Sequence, residues 1–371
     1  MARIQLVDIA RGMAILLVIF GHAIEVFFQN PQIGPTIMTI WKFIYSFHVP
    51  LFYFLSGVVA PKGSMGRIIR SSVRLLLLSQ LVDLPALILS VTIFGHQTAA
   101  HQILLNGITF SGQTLIVTWF LASLAIIQWV SVVHDHVRAP LKALIWVLLF
   151  LALFWHEATR ANFFQIGSLL AGFLFYRSGL AARRVIEWLD ASSRRFAILS
   201  FGVFAFLGTY WLDTLNGGCS FSLAQDCPNI AGRFVVFLFN GDMGHFPLFI
   251  AAAALGITGS LGISKSLCAN AFIITRILRF LGENSLLLLV INGYFLIFFE
   301  KNQAVMPYFA GQGSLALAMS LTTGMVAAQV CLAWLIKRPF SWLDRLAFGS
   351  GDWVVKRLPL SMRSESKPRP S

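Results

Sequence analysis

Apolar residues run along this chain in long blocks, most of them close to twenty residues, separated by short polar or basic stretches. A bilayer's hydrocarbon core of ~30 Å needs about 20 residues of α-helix to cross it. The pattern predicts ten spans, at 12–29, 40–60, 75–95, 114–133, 141–157, 162–177, 196–213, 233–257, 283–300 and 314–336. Because a helix satisfies its own backbone N–H and C=O groups in lipid, the expected fold is all-α, a polytopic integral membrane protein. The loops are short. The basic stretch at 177–195 reads as a partly amphipathic surface helix. KRPFSWLDRLAF, after the last span, reads as a short interfacial helix, and the terminal SMRSESKPRPS as disordered. The expected division is a transmembrane domain at 1–340 and a basic tail at 341–371. No internal repeat is evident.

Composition agrees. Hydrophobic residues make up 57% of the 371 and charged residues 12%, against roughly 25% charged in an ordinary soluble domain, which leaves little room for a separate soluble domain. The first apolar block has no secretory cleavage pattern, so its helix is expected to stay in the mature protein. Net charge is +13, but its distribution follows the spans: all of the 28 basic residues except Lys42, Arg160, Arg233 and Lys301 fall on one side. That bias predicts both termini in the cytoplasm, and it makes topology, with anionic lipid contact at the tail, a better account of the charge than nucleic acid. Cys219 and Cys227 share one predicted outer loop, where an oxidising compartment permits a disulfide. Cys268 and Cys331 have neither metal-site spacing nor metal-site neighbours and read as packing residues. His96, His101, His134, His136, His156 and His245, at predicted span ends and turns, also lack a metal-ligand pattern, so no metal is expected.

The first block, LVDIARGMAILLVIFGHAIE, carries ionisable groups within an apolar run. Arg11 and His22 are eleven residues apart, about 1,100° of helical rotation, so they share a face some ~16 Å apart along the axis. Asp8 lies three residues before the arginine and Glu25 three after the histidine, on the same arc. Four polar groups on one stripe require other protein or a wet cavity beside them. An imidazole there is biased toward neutral and can act as a general base, with Glu25 available to orient it. In YSFHVPLFYFLSG, His48 either binds substrate or supports a kink at Pro50. Arg67, Arg70 and Arg74, at i, i+3 and i+7, form a row that suits a phosphorylated ligand or simply marks the inner end of a span. Trp119 in TWFLASL marks an interface, Glu283 and Asn284 open the ninth span, and Asn292 lies deep within it.

Together, D-x-x-R-G with Arg-x10-His, SFHVPLFYFLSG, the RxxR run, WFL and LGENS make the chain similar to the membrane-bound acyltransferase-3 family, which includes bacterial O-acetyltransferases of exopolysaccharides and O-antigens. The resemblance covers nearly the whole chain, and the family too has about ten spans. It implies His22 as the catalytic histidine, Arg11 as its partner in the signature, His48 as a site residue, and Arg67 and Arg70 in the acyl-donor region. It implies an acyl-CoA donor, usually acetyl-CoA, used from the cytoplasmic side of a bacterial inner membrane, and a glycan hydroxyl or lipid-linked oligosaccharide as acceptor. Acyl-CoA enters as a substrate, and no bound cofactor is expected. Many members carry a histidine in the ninth-span motif where this chain has Asn292. The expected chemistry is either direct transfer with His22 as base or an acyl-histidine intermediate. A transporter or lipid-linked glycan flippase, using the same polar face as a proton or substrate path, is the rival reading. The acceptor cleft is expected from the outer loops 96–113, 213–232 and 301–313.

Overall fold

The computed structural model describes residues 4–28, 30, 32–61, 65–94, 115–159, 166–216, 236–268, 273–301 and 314–348. The helices in chain order are α1 (Gln5–Ile24), α2 (Gly34–Tyr45), α3 (His48–Val58), α4 (Met65–Phe94), α5 (Trp119–His136), α6 (Ala139–Thr159), α7 (Ile166–Ala191), α8 (Arg195–Leu215), α9 (Phe246–Cys268), α10 (Ile273–Glu283), α11 (Ser285–Lys301) and α12 (Leu315–Phe348). Short 3-10 turns sit at Glu25–Phe27, Ile116–Thr118 and Leu238–Asn240. A single isolated β-bridge, Phe237 to Asp242, is the extent of strand pairing among the described residues.

Among these residues, six helical stretches are long and apolar enough to cross a membrane: Gln5–Phe27, Met65–Leu89, Ala139–His156, Arg195–Leu215, Phe246–Cys268 and Leu315–Pro339. A seventh follows if α10 and the stretch Ser285–Phe298 of α11, bent by 79°, count as one. The chain is a multi-pass, all-α membrane protein. Four of the ten expected spans take other shapes. From Val236 the block at 233–257 opens as a 3-10 turn inside a short hairpin, because Gly241 and the paired backbones of Phe237 and Asp242 turn the chain back, and its helix, α9, begins only at Phe246 and runs to Cys268. The block at 40–60 is divided between α2 and α3, and the block at 114–133 opens with a 3-10 turn before α5. The block at 162–177 belongs to α7, which runs on to Ala191 and absorbs the expected surface helix. No proline interrupts it, and Arg183 ties its far end down by donating to Ala60 O at 3.0 Å and Glu187 Oε1 at 3.3 Å. Helix α12 likewise passes the expected domain boundary at 340, with Pro339 inside it, and ends at Phe348.

Polar bonds gather at the two ends of the bundle. At one end, Asp190 Oδ1 accepts from the Leu6 N–H, Lys265 Nζ donates to Asp190 O at 2.5 Å, and Arg177 pairs with Asp135 at 2.7 Å. At the other end, Asn216 donates to Met243 O and accepts from the His245 N–H, while His156 Nε2 donates to Gly241 O. The first is here termed the basic end and the second the far end.

Helix α1 is the hub, packing on α2, α3, α9, α10, α11 and α12. About two thirds of its apolar window is buried, against 17–28% for the stretches in α4, α6, α8 and α12 that face lipid. Its crossing with α10 is made backbone to backbone: a Cβ on Gly12 would lie 1.9 Å from Leu278 O, and one on Gly282 would lie 1.9 Å from Asp8 O. Small residues at that crossing allow dispersion contact between helix backbones, which drives association where lipid removes the usual hydrophobic drive. The result fixes the Asp8 and Arg11 end of α1 against the element that carries LGENS.

Candidate active site

Helix α1 presents Arg11, Ile15, Val18 and His22 to one cavity of about 240 Å³. The i, i+4, i+7, i+11 spacing is that of one helix face, so the sequence stripe becomes a wall. The cavity extends from Arg11, Ser56, Leu75 and Ser285, on the segments nearest the basic end, to His22, Tyr45 and Phe237 toward the far end. Its surface is mostly apolar.

His22 is held from across the bundle. Its Nδ1 lies 2.5 Å from Asn292 Oδ1, and Asn292 Nδ2 donates to Gln329 Oε1 at 3.1 Å. Asn292 and Gln329 are each about 1% exposed. An amide oxygen can only accept, so the His22 proton belongs on Nδ1 and the lone pair on Nε2. Gln329 accepts from the Asn292 amide, which leaves the Asn292 oxygen to face His22. A histidine whose Nδ1 is so engaged and whose Nε2 is left on a cavity wall has the geometry to take a proton from a hydroxyl.

Glu25 sits elsewhere than expected. Its Oε1 accepts from Trp41 Nε1 at 2.8 Å and from Tyr45 OH at 2.6 Å, so the carboxylate fixes α2, and the place of His22's partner is taken by Asn292. Tyr45 in turn lies edge-on to His22, with ring centroids 6.1 Å apart, and at 4.5 Å from the His48 ring. Asp8 lies where its charge acts on Arg11. His48 lines the cavity and donates Nδ1 to Ile44 O at 2.9 Å, at the break between α2 and α3. It satisfies a carbonyl that the broken helix leaves open while facing the substrate space. Pro50 falls in the first turn of α3, where its missing N–H has no helical partner to lose.

Trp119 opens α5, is buried, and lines the cavity beside Phe239, with ring centroids 6.0 Å apart. The row Arg67, Arg70 and Arg74 lies on the first turns of α4 outside the cavity wall; Leu75, next to Arg74, is the α4 residue that reaches it. Cys219, Cys227 and nearly all of the three outer loops expected to form the acceptor cleft lie outside the described residues. Cys268 and Cys331 are free thiols.

The far end of the cavity is closed by 236–245, a segment that the hydropathy pattern assigned to the expected span at 233–257 and that instead forms a hairpin ahead of α9. Phe237 and Asp242 exchange both backbone hydrogen bonds, and Gly241 takes a left-handed φ of 78° at the turn. Glycine suits that turn because a Cβ would be strained there. Ser168 Oγ donates to Leu238 O, and His156 Nε2 donates to Gly241 O at 2.7 Å. So anchored, the hairpin lays Phe237 nearly parallel to Tyr45, 6.2 Å away, and to Trp41, 6.3 Å away. The residues missed from the sequence are therefore Tyr45, Phe237, Phe239 and Gln329. Only Gln329 left a signal, as a lone amide within an apolar span.

No group of three or more potential metal ligands occurs among the described residues. Residues 4–338 match the family described as an acyltransferase domain. No curated protein and no solved structure matches the chain.

Proposed function

The chain belongs to the acyltransferase-3 family, and from that premise we propose that it is a membrane O-acyltransferase that moves an acetyl or other short acyl group from acyl-CoA to a hydroxyl of a surface glycan or exopolysaccharide. The observation that carries this reading is the single cavity that has Arg11 toward one end and His22, locked by Asn292, toward the other. The donor's anionic head belongs at the basic end, where the α4 arginine row and Arg11 supply guanidinium groups suited to phosphate. That end would face the cytoplasm of a bacterial inner membrane, by the positive-inside bias. The acyl arm then lies along the apolar α1 face, and the acceptor meets it near Tyr45 and Phe237.

In the proposed step, His22 Nε2 removes the proton of the acceptor hydroxyl as the oxygen attacks the thioester carbonyl. The tetrahedral intermediate collapses by breaking the C–S bond, and the proton on His22 passes to the departing thiolate. An ester and free CoA thiol leave. The Nδ1–H to Asn292 bond keeps the imidazole oriented through both transfers, the role a fixed acceptor plays for any histidine base. Mostly apolar walls keep water from competing for the thioester.

The test uses the purified protein and cells together. With matched protein levels, His22→Ala and Arg11→Ala should both abolish CoA release by the pure protein and remove the O-acetyl proton signal from the cell's polysaccharide. Unchanged acetylation with altered export or chain length would overturn the reading and favour a transport role for the same polar face.

A further inference from the structure

A second cavity, about 650 Å³, lies apart from the active site, among α7, α8 and α9. Helix α7 packs mainly on α3, and α8 mainly on α9. The two consecutive helices therefore diverge from the turn at 192–194 and leave a wedge, floored by α9 and by Phe54 of α3. Its walls are apolar, including Leu174, Phe175, Ile257 and Leu261, and among the described residues Arg194 is the one charged group that lines it. Trp188 and Phe201, 59% and 61% exposed, also line it and leave the cleft open toward the surrounding lipid.

From Ile250 to Gly262 the floor on α9 is ~18 Å long at the helical rise. That is about half of the ~30 Å hydrocarbon core, the depth of one leaflet. Water gains nothing from such walls, so a chain of the bilayer is the natural filler. Arg194 stands at the basic end of the groove, where a lipid headgroup would lie. Of the nearby cations, Arg177 pairs with Asp135, Arg183 with Glu187 and Lys265 with Asp190 O, and neither Arg184 nor Arg195 lines the groove. Arg194 makes no side-chain hydrogen bond or ion pair among the described residues.

We propose that this groove is a binding site for one anionic phospholipid of the leaflet at the basic end, its acyl chain between α7 and α8 and its phosphate on Arg194. A second copy of this chain in the same membrane orientation would bring its own basic row to the same depth, and like charges would oppose it. An anionic headgroup complements the arginine. The bound chain fills the space between α7 and α8, and so supports α7 against α3, the helix that carries His48.

Native mass spectrometry of the full-length protein, released from mixed micelles of phosphatidylglycerol and phosphatidylcholine, tests this directly. The wild type should retain one phosphatidylglycerol in preference to phosphatidylcholine. Arg194→Gln should lower that preference about fivefold, the ratio expected for one arginine facing an anionic headgroup. Ala254→Trp, which fills the groove from an exposed floor position, should release the lipid whatever its headgroup. Arg138→Gln, a basic residue outside the groove, should change neither. Circular dichroism and monodispersity in detergent establish that each variant is folded before it is scored. Equal retention in all variants, equal loss with Arg138→Gln, or a dimer that breaks up with Ala254→Trp would overturn the proposal. The result does not depend on the acyltransfer assay.

Discussion

Removing the Asn292 carboxamide is the sharpest test of how His22 is held. The bond between His22 Nδ1 and Asn292 Oδ1 is 2.5 Å long, and the asparagine is about 1% exposed. Asn292→Ala removes that acceptor from a buried position. A polar group left unpaired in such a place costs about 1–3 kcal/mol. If that cost falls on the transition state, where the ring must hold its orientation while gaining a proton, kcat drops roughly 5- to 150-fold. Gln329→Leu should cost less, because it removes only the group that directs the amide. The freed Asn292 can then turn its NH2 toward His22 and favour the tautomer with the proton on Nε2, where the base is needed. The assay is CoA release by purified protein at saturating acyl-CoA, with the donor KM measured alongside. The rate should fall with KM nearly unchanged. His22→Ala combined with Asn292→Ala should be no slower than His22→Ala alone, since the asparagine acts through the histidine. A kcat for Asn292→Ala within about twofold of wild type, or additive losses in the double variant, would refute the argument.

Phe237→Ala should raise the acceptor KM about 2- to 10-fold and leave the donor KM unchanged, because an aromatic contact contributes about 0.5–1.5 kcal/mol; steady-state kinetics with each substrate varied will decide. Glu25→Gln should lower thermal stability in detergent by about 1–3 kcal/mol, since one charged oxygen serves both Trp41 and Tyr45. Gly12→Ala should destabilise by at least ~2 kcal/mol, because the new Cβ meets the Leu278 carbonyl at 1.9 Å, whereas Gly324→Ala, with nothing within 4 Å, should stabilise slightly in the same thermal-shift measurement.

The apolar blocks of the sequence identified the class of fold because length and hydropathy are local quantities, and the bilayer imposes a length on each element. They were less informative where a span is interrupted. The 40–60 block is continuous in hydropathy, yet it breaks at Ser46 and Phe47, where Ser46 Oγ and His48 Nδ1 take up the carbonyls of Phe43 and Ile44. Lys42 falls at the outer end of the 40–60 block, yet tertiary packing leaves it only 7% exposed.

The sequence by itself determined that this is a helical membrane protein, and that Arg11 and His22 share a face of the first helix. Those conclusions follow from composition and from the 3.6-residue period, which need no knowledge of distant neighbours. Only the tertiary structure decided what that face meets. Asn292 reaches His22 from 270 positions away, Glu25 turns to Trp41 and Tyr45, and the 236–245 hairpin closes the cavity with an aromatic wall. Such pairings are set by which helices cross at close range, as α1 and α10 do through Gly12 and Gly282, and a crossing is a property of two surfaces rather than of either sequence segment.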